Sequence, residues 1–508
     1  MSTLDRAIDT SAVSPRDELL ALLESQQRSF VAGGPPDAAT RRNRIDRLVA
    51  LMVDNSDALV DALVRDFGSK SRLGTVSTEI VGSISQIEHT RANIPKWMRE
   101  TRLLRAGRAV GIRAEVVPSP LGVVGIIGPW NFPVHLVIVP AAAAFAAGNR
   151  VMIKMSEVTA ATADLMKSLA AQYFDPRELV VVTGDTGVAA DFSSLPFDHL
   201  FFTGSPGVGK LVQRAAAENL VPVTLELGGK NPVVVSPQAD IRRAASRTVL
   251  GRMVNGGQVC VCPDYVFVPQ HQVDRFVDTA KKTLANAFPS IVSDPEYPAS
   301  VNDANYQRVI ELIDDARRQG AIIESVVPHG ETLPDPTSRK IAPTIVRGVD
   351  DRMKIAHEEI FGPVLVVRTY SDLAEVVDYV NARPSPLVTY WFGPDRDDFR
   401  NYVRNTRSGG VARNEFGLQM LPAGAPFGGV GNSGMGAYHG KAGFDTFSHH
   451  RTAVGSDLPL SVTTSSAVAP FGRGIQQFAD LTIRIARRRA RRRLGGDPRL
   501  SSPSNADL

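Results

Sequence analysis

The sequence predicts an α/β protein built on two parallel sheets, and three observations support this prediction. The chain has 508 residues, 43% of them hydrophobic, which is more than one compact domain needs, so we expect at least two domains. From residue 121 onward, short apolar runs alternate with helical stretches, as in parallel sheets covered on both faces. A second series of such runs begins after residue 230, and two sheets imply a cleft between them.

Individual elements are predicted from the spacing of apolar residues. Helical spacing indicates an amphipathic helix or helix pair over 37–66, and the apolar stretch 136–148 indicates a buried helix. That stretch contains a proline and is shorter than the ~20 residues that cross a bilayer. The predicted strands are LGVVGII, VMIK, LVVVTG, HLFFTG and VTLELGG in the first sheet, and NPVVVS, YVFVP, APTIV and GPVLVVRTY in the second. Further helices are predicted near 271–287, 303–319 and 372–381, and an extended or linker segment over 453–470.

Positive charge is concentrated at the C-terminus. Residues 461–508 contain nine arginines and three aspartates, so the rest of the chain is slightly acidic although the net charge is +4. The body therefore gives no reason to expect a nucleic-acid surface. Ile475, Phe478, Thr482 and Ile485 share one helical stripe before the arginine cluster. Two interpretations remain open for this tail: peripheral contact with an anionic membrane, or a solvated and partly disordered segment.

Cys260 and Cys262 are the only cysteines of the chain. Two cysteines cannot form a disulfide framework, and the charged N-terminus differs from a signal peptide, so we expect a cytoplasmic protein with reduced thiols. A zinc site needs about four ligands and the neighbouring sequence offers no further Cys or His, so no metal is expected. The preceding NGGQ suggests a permissive backbone that presents a nucleophile, although a small buried thiol is an equally good interpretation.

The stretch HLFFTGSPGVGK is typical of a strand that leads into a helix. Gly204 ends the strand and Ser205 is a plausible N-cap, so free N–H groups of the helix could bind a pyrophosphate. The spacing of Gly204 and Gly209 fits such a turn, although glycine-rich turns also serve packing. A magnesium-binding phosphate loop is disfavoured, because Leu211 stands where Ser or Thr would be required.

Two acidic positions follow or end predicted strands. Glu157 lies with Lys154 just past the strand VMIK, where a carboxylate could accept hydrogen bonds from a ribose; a solvated strand end fits equally well. Glu226 ends an apolar run before two glycines. Burial would raise its pKa towards that of a general base, and a surface glutamate before a turn is the alternative.

Seven motifs together resemble the NAD(P)-dependent aldehyde dehydrogenase superfamily over about residues 40–452: GPWNFP, KMSE, FTGS, ELGGK, NGGQVC, EEIFGP and GGVARN. The segments RPSPLVTYWFG and PFGGVGNSGMGAYHGKAGFDTFSHHR resemble its class 3 branch, particularly bacterial coniferyl aldehyde dehydrogenases. The resemblance implies two Rossmann-like domains with a cleft between them and a small bridging or oligomerisation element. The implied segments are an NAD(P)-binding domain over 1–100 and 121–228, bridging segments over 101–120 and 440–460, a catalytic domain over 229–439, and a basic tail over 461–508.

The resemblance also implies roles for individual residues. Cys260 would attack the aldehyde carbon, the Asn131 amide and the Cys260 N–H would hold the oxyanion, and Glu226 would activate the water that hydrolyses the thioester. The implied cofactor-binding residues are Trp130, Lys154, Glu157, Gly204, Ser205, Gly209, Glu359 and Phe361. NAD is the expected cofactor, because the Glu157 carboxylate should repel a 2′-phosphate, although class 3 relatives also accept NADP. The implied substrate is a hydrophobic aldehyde, aromatic or medium to long aliphatic, and the implied assembly is a homodimer.

Three positions depart from the family pattern, and two other functions are considered. Met155 stands where many relatives have Pro, Cys262 where class 3 relatives commonly have Ala, and Gln419 where they usually have His. We expect Cys262 to be a bystander that could trap Cys260 under oxidation. A CoA-acylating dehydrogenase is disfavoured by Glu226, since a thiol acceptor has less need of a base than water has. A binding protein that retains only the fold is disfavoured because the three implied catalytic residues are all present.

Overall fold

The computed structural model describes residues 14–104, 107–459, 463–469 and 471–494. Within these residues the chain forms two units. The larger unit consists of the residues up to Glu100 together with Val117–Arg451, and the smaller consists of Thr101–Val116 together with the residues that follow Arg451.

The helices and strands occupy the following ranges. The helices are α1 Pro15–Gly33, α2 Ala38–Asp54, α3 Ser56–Phe67, α4 Arg72–Thr75, α5 Gly82–Trp97, α6 His135–Ala147, α7 Ala160–Tyr173, α8 Thr186–Ser193, α9 Pro206–Ala217, α10 Ile241–Met253, α11 Val273–Ala287, α12 Asp303–Arg318, α13 Leu373–Asn381, α14 Asp397–Asn405, α15 Gly440–Thr446, α16 Thr464–Ala467 and α17 Arg473–Arg493. The strands are β1 Thr101–Arg102, β2 Ile112–Pro120, β3 Val123–Ile127, β4 Arg150–Lys154, β5 Leu179–Val182, β6 His199–Gly204, β7 Val223–Leu227, β8 Asn231–Val235, β9 Pro263–Pro269, β10 Ile322–Ser325, β11 Thr344–Arg347, β12 Val364–Tyr370, β13 Val388–Phe392, β14 Gly410–Arg413, β15 Gly434–Met435 and β16 Ser448–Ser456.

The first large sheet has six strands in the order β15-β7-β6-β3-β4-β5. All of its neighbouring pairs are parallel except β15 with β7, so the predicted parallel sheet is confirmed. From β3 the chain proceeds to β4 and β5 on one side and then crosses to β6 on the other. Such a reversal leaves a crevice at the carboxyl ends of the strands, where α/β sheets bind ligands.

The second large sheet has seven strands in the order β10-β11-β12-β9-β8-β13-β14. Its strands are parallel except for β10, which pairs antiparallel with β11, so the second predicted sheet is also confirmed. The predicted strands correspond to β8, β9, β11 and β12 and the predicted helices to α11, α12 and α13. The prediction missed β10, β13 and β14.

Helix α6 lies in the core of the larger unit and is apolar on every side. Twelve of its residues are buried, and its alanine-rich sequence allows α2 and α5 to approach closely. The predicted buried helix over 136–148 is therefore confirmed. The predicted pair over 37–66 is confirmed as α2 and α3.

The segments expected to form a bridging element differ in part from the structure. β1 and β2 pair antiparallel, and a small sheet has the order β1-β2-β16. In contrast, α15 packs inside the larger unit, where Phe444 contacts Trp97 with ring centroids 5.7 Å apart. Strand β15, which lies in the segment expected to form the catalytic domain, pairs with β7 of the first large sheet. The linker expected over 453–470 begins as the end of strand β16.

The basic tail contains a helix in its described part. Helix α17 spans Arg473–Arg493, and none of its side chains, all of which are described, is buried. Residues 495–508, the last part of the expected tail, lie outside the described residues. In the part of the chain that the structure describes, no helix is both long enough and apolar enough to span a membrane.

Candidate active site

The residues predicted to form the site come from opposite ends of the two large sheets. Asn131 follows the carboxyl end of β3, and Glu226 lies near the carboxyl end of β7. Cys260 and Glu359 precede the amino ends of β9 and β12. The two sets meet, because the Asn131 Nδ2 donates a hydrogen bond to the Gln258 carbonyl at 3.1 Å.

A left-handed turn presents Cys260. Asn255, Gly256 and Gly257 have φ angles of 50°, 64° and 80°, a region that favours glycine. At Gly257 a Cβ would also lie 2.1 Å from the Gly362 carbonyl oxygen, so a side chain has no room there. The permissive backbone predicted before Cys260 is thus confirmed. This turn leaves Cys260 partly exposed.

Two side chains of the second sheet hold the loop behind Cys260. The Asn231 Nδ2 donates to the carbonyls of Cys260 at 2.7 Å and Cys262 at 3.0 Å, while its Oδ1 accepts from the Val388 N–H. The Tyr390 hydroxyl donates to the Val261 carbonyl at 2.7 Å. Sequence reasoning missed Asn231, although a polar residue at the start of the apolar strand β8 was an available signal.

The surroundings of Cys262 indicate a structural role for this residue. Its side chain is only 1% exposed and packs in the core of the second sheet. The thiol donates to the Gly251 carbonyl at 3.3 Å, and burial raises its pKa to about 12. These contacts agree with the expected bystander, since a protonated thiol is a poor nucleophile. A bond to Cys260 would require the thiol to leave the core.

The Glu226 carboxyl is buried, so the alternative interpretation, a surface glutamate before a turn, is excluded. Its exposure is 4%, and neither carboxyl oxygen has a hydrogen-bond partner among the described residues. Burial alone raises its pKa well above the ordinary value. An unpaired buried carboxyl favours the neutral form, and it becomes a strong base when it ionises.

The Cys260 thiol shares this apolar environment. Burial is the main cause of its raised pKa, and negative charge on Glu359 or Glu226 raises the pKa further. The two carboxyls are therefore close enough for their charge to act on the sulfur. Burial likewise raises the pKa of Glu359 to about 8.

The Asn131 amide is held in place by one hydrogen bond to the loop of Cys260. Its side chain is buried in the loop between β3 and α6, and one amide hydrogen is directed to the Gln258 carbonyl. A side-chain amide has two donors, so the second remains for a developing negative charge near Cys260.

The residues expected to bind the cofactor adenosine lie at the carboxyl ends of β4 and β6. The buried Lys154 ammonium donates to the carbonyls of Met155 at 2.7 Å and Gly184 at 2.9 Å. The exposed Glu157 carboxylate makes no hydrogen bond or ion pair within the described ranges, which suits an acceptor for ribose hydroxyls. Ser205 is the N-cap of α9, and its Oγ accepts from the Val208 N–H at 3.4 Å.

The two glycines of this turn serve close packing. A Cβ at Gly204 would lie 2.4 Å from the Phe202 ring, and one at Gly209 would lie 2.7 Å from Leu227 Cδ2. Gly209 is buried between α9 and β7, where a side chain has no room, and its expected contact with the cofactor remains a prediction. The first turn of α9 still offers uncapped N–H groups, and these residues fit a dinucleotide.

Aromatic residues line the other expected part of the cofactor site. Trp130 and Phe361 meet edge to face with ring centroids 5.3 Å apart, and Phe361 has a left-handed φ of 49°. The Glu359 carboxylate packs on Gly228, where a Cβ would lie 2.2 Å from Oε2. The loop of Glu359 is tied to β8 and β9, because Lys230 pairs with Asp264 and also donates to the Glu358 carbonyl at 2.9 Å.

No metal centre is evident in the described part of the chain. Within it, no group of three or more His, Cys, Asp or Glu side chains could hold a metal ion. The site brings together a thiol, two buried carboxyls and a side-chain amide.

Comparison with known proteins identifies the family. The model of the aldehyde dehydrogenase family matches residues 12–453. The chain belongs to the aldehyde dehydrogenase family. Enzymes of this family oxidise aldehydes and use NAD(P), so this aldehyde dehydrogenase is an NAD(P)-dependent oxidoreductase.

Relatives of this aldehyde dehydrogenase include bacterial and mammalian enzymes. It is 42% identical over 467 residues to the coniferyl aldehyde dehydrogenase of Pseudomonas sp., covering 92% of this chain and 96% of that protein. It is 36% identical over 433 residues to the dimeric NADP-preferring aldehyde dehydrogenase of Rattus norvegicus, covering 85% and 93%. Among solved structures, the substrate-bound AldH of Staphylococcus aureus matches with a TM-score of 0.84 and 32% identity, covering 91% of this chain and 99% of that one.

Proposed function

We propose that this aldehyde dehydrogenase oxidises coniferyl aldehyde and related hydrophobic aldehydes to the carboxylic acids, with Cys260 as nucleophile and Glu226 as base. The observation that carries the mechanism is the pairing of a partly exposed thiol with a buried, unpartnered carboxyl, as found within the described residues. The names of relatives at 42–44% identity support the substrate class.

In the first half-reaction Cys260 adds to the aldehyde carbon. The partly exposed thiol gives up its proton to solvent water, a carbon–sulfur bond forms, and the carbonyl electron pair moves to oxygen. The free donor of the Asn131 amide and the Cys260 N–H stabilise that oxyanion. One such donor contributes about 3 kcal/mol in the transition state.

When bound, NAD(P) would supply the hydride acceptor that the conversion of the Cys260 adduct into a thioester requires. We assign Lys154 and Glu157 to its adenosine ribose and Ser205 to its pyrophosphate. Trp130, Glu359 and Phe361 are assigned to its nicotinamide end. The carboxylate of Glu157 favours NAD over NADP, because a 2′-phosphate would be repelled.

In the second half-reaction Glu226 removes a proton from water. The resulting hydroxide attacks the thioester carbonyl, the carbon–sulfur bond breaks, and the acid is released. The burial of Glu226 supports this role, because an ionised carboxylate without partners binds a proton strongly. The alternative acceptor, CoA, would not require such a base.

The test is a substrate panel. NADH formation would be measured with coniferyl aldehyde, benzaldehyde, hexanal and dodecanal, first with NAD and then with NADP, and the acid product would be identified by mass spectrometry. We expect the highest kcat/KM with coniferyl aldehyde and NAD. A preference for the aliphatic aldehydes would contradict the substrate class, and full activity of Cys260→Ser would contradict the mechanism.

We also propose that the enzyme is a cytoplasmic homodimer. The rat relative is named as dimeric, which supports this assembly. We assign cofactor binding to residues 1–100 and 121–228 and catalysis mainly to 229–439, following the two sheets. Light scattering after size-exclusion chromatography would give twice the chain mass; the mass of one chain would contradict the dimer.

We further propose that helix α17 makes peripheral contact with an anionic membrane. Its eight arginines and the exposed Phe478 and Leu481 lie on one 21-residue helix, a composition suited to an anionic surface. Flotation with phosphatidylserine vesicles would compare the full chain with a variant that ends at Val462. We expect only the full chain to float, and equal flotation of both would exclude the tail.

A further inference from the structure

We propose that Lys70 and Glu79 form a buried clamp that positions the two active-site loops, and that Lys70 affects turnover through Asn255 and Asn131. This inference rests on the oxyanion role proposed above for Asn131. Neither Lys70 nor Glu79 takes part in the reaction itself. We therefore treat both as positioning residues.

Lys70 holds the loop that carries the nucleophile. Its side chain is only 4% exposed, and its Nζ donates to the Asn255 Oδ1 at 2.5 Å. The same ammonium lies 4.1 Å from the centre of the Phe67 ring and 5.4 Å from that of Phe132. Both rings are close enough to attract the cation. The ammonium therefore sits in an aromatic cage, and Asn255 is its hydrogen-bond acceptor.

Asn255 transmits this contact to both sides of the site. Its Nδ2 lies 3.4 Å from the carbonyl of Asn131 and 3.4 Å from that of Gln258. The Asn131 amide donates to the same Gln258 carbonyl. Because Lys70 accepts no hydrogen bond, it forces the amide oxygen of Asn255 towards itself and directs the Nδ2 towards the two loops.

Glu79 holds the other loop. Its side chain is fully buried, and its Oε2 accepts from the His135 N–H at 2.7 Å, at the first residue of α6. A carboxylate at a helix N-terminus is stabilised by the free N–H groups and the helix dipole. His135 follows Asn131 by four residues, so Glu79 fixes the exit of the Asn131 loop. A second tie comes from Ser83, whose Oγ lies 2.8 Å from the His135 Nδ1.

The two charges depend on each other. Burial raises the pKa of Glu79, and the positive charge of Lys70 opposes that rise. Burial lowers the pKa of Lys70, and the negative charge of Glu79 opposes that fall. Within the described residues, the Glu79 Oε1 has no hydrogen-bond partner. Glu79 also lies in an unusual π-helix, Val76–Val81, a feature that is frequent at functional sites.

Stability alone is a poor explanation for this pair. Burying two charged side chains costs free energy, because both charges must be desolvated. The pair does, however, determine the orientation of the Asn255 amide and the position of α6. A misplacement of about 1 Å at a reacting centre costs ~10²-fold in rate, so such orientation has a kinetic value.

The test begins with Lys70→Met, which keeps the volume and removes the donor. We expect the single-turnover rate of NADH formation and kcat to fall by ~10- to 100-fold, with KM changed less than about twofold. The melting temperature should remain within a few degrees of the parent value. The matched control is Lys167→Met on the exposed face of α7, which should leave all of these quantities unchanged.

A double-mutant cycle with Asn131→Ala decides whether Lys70 acts through Asn131. If it does, Lys70→Met should reduce the rate less than about twofold in the Asn131→Ala background. Multiplicative losses would overturn the clamp, and so would a parent-like Lys70→Met beside a severely impaired Asn131→Ala. A parent-like Asn131→Ala would instead overturn the proposed oxyanion role, so the two failures are distinguishable.

A second variant allows the proposal to be tested even if Lys70→Met fails to fold. Asn255→Gly keeps the left-handed backbone, which glycine adopts freely, and removes the transmitting amide. It should reproduce the loss in rate without loss of folding, and adding Lys70→Met to it should have little further effect. A fully active Asn255→Gly would overturn the route through Asn255.

Discussion

Replacing Glu226 by Gln should separate the two half-reactions proposed above. Glutamine has nearly the shape of the neutral carboxyl that burial favours at this position, so the surrounding packing should be preserved. The nucleophile and the oxyanion donors remain in place. The thioester should therefore still form on Cys260, and only its hydrolysis should lack a base.

The expected magnitude follows from the role of the base. General-base catalysis contributes about 10²–10⁴-fold, which corresponds to roughly 3–5 kcal/mol in the activation free energy. Both oxygens of Glu226 lack hydrogen bonds within the described part of the chain, so no neighbouring donor weakens the ionised carboxylate as a base. We expect steady-state kcat to fall by at least about 10²-fold.

The assay is rapid mixing with NAD and a reactive aldehyde. Glu226→Gln should give a burst of about one NADH per active site followed by a slow phase, and mass spectrometry should find the acyl group on Cys260. Glu218→Gln, a change at an exposed residue after α9, is the matched control. A parent-like steady-state rate would assign the base to another group, and loss of the burst would place Glu226 in the first half-reaction.

Several further outcomes are expected. Cys262→Ala should retain alkylation of the catalytic thiol and activity within about twofold, because its own thiol is buried; loss of labelling would contradict this. Glu157→Gln should raise the NADP to NAD ratio of kcat/KM by about tenfold, or ~1.4 kcal/mol, and an unchanged ratio would remove Glu157 from the ribose site. Gly257→Ala should destabilise folding by at least about 2 kcal/mol in denaturant titrations, because its φ is 80° and a Cβ would strike a carbonyl; a neutral effect would refute the close approach. The raised pKa of Glu226 means that its contribution to stability is full below about 4.5 and is lost as the pH rises through the folded pKa, so Glu226→Gln should melt higher than the parent only at higher pH. Parallel melting curves between pH 5 and pH 9 would contradict that pKa.

The sequence predicted the two parallel sheets because their strands are continuous apolar runs with helices between them. It missed α1, where only Leu19, Leu23 and Gln26 are buried, so the apolar periodicity is weak. It missed β14 as well, a strand of four residues whose pairing with β13 involves only short segments. Short or sparsely buried elements depend on tertiary contacts that local periodicity does not record.

The residues of the candidate site were predicted from motifs. The burial and the charge contacts of these residues could not be predicted in the same way. Whether Glu226 is buried depends partly on β15, where Gly434 pairs with Glu226 across the sheet. The contact between Lys70 and Asn255 joins residues 185 positions apart, and local spacing contains no sign of it. The spacing of Gly209 fits a phosphate turn, but its close approach to Leu227 could not be predicted from that spacing.

The ionisation of Cys260 and of the nearby carboxyls can change from one proposed half-reaction to the next. Negative charge on Glu226 or Glu359 raises the pKa of Cys260, and by reciprocity a thiolate raises the pKa of each carboxyl. A buried thiolate and a buried carboxylate therefore disfavour each other, which suits the first half-reaction, when the nucleophile requires the charge. Once the sulfur is bonded to the acyl carbon it can no longer ionise. The base then ionises more easily, at the step where water must be activated.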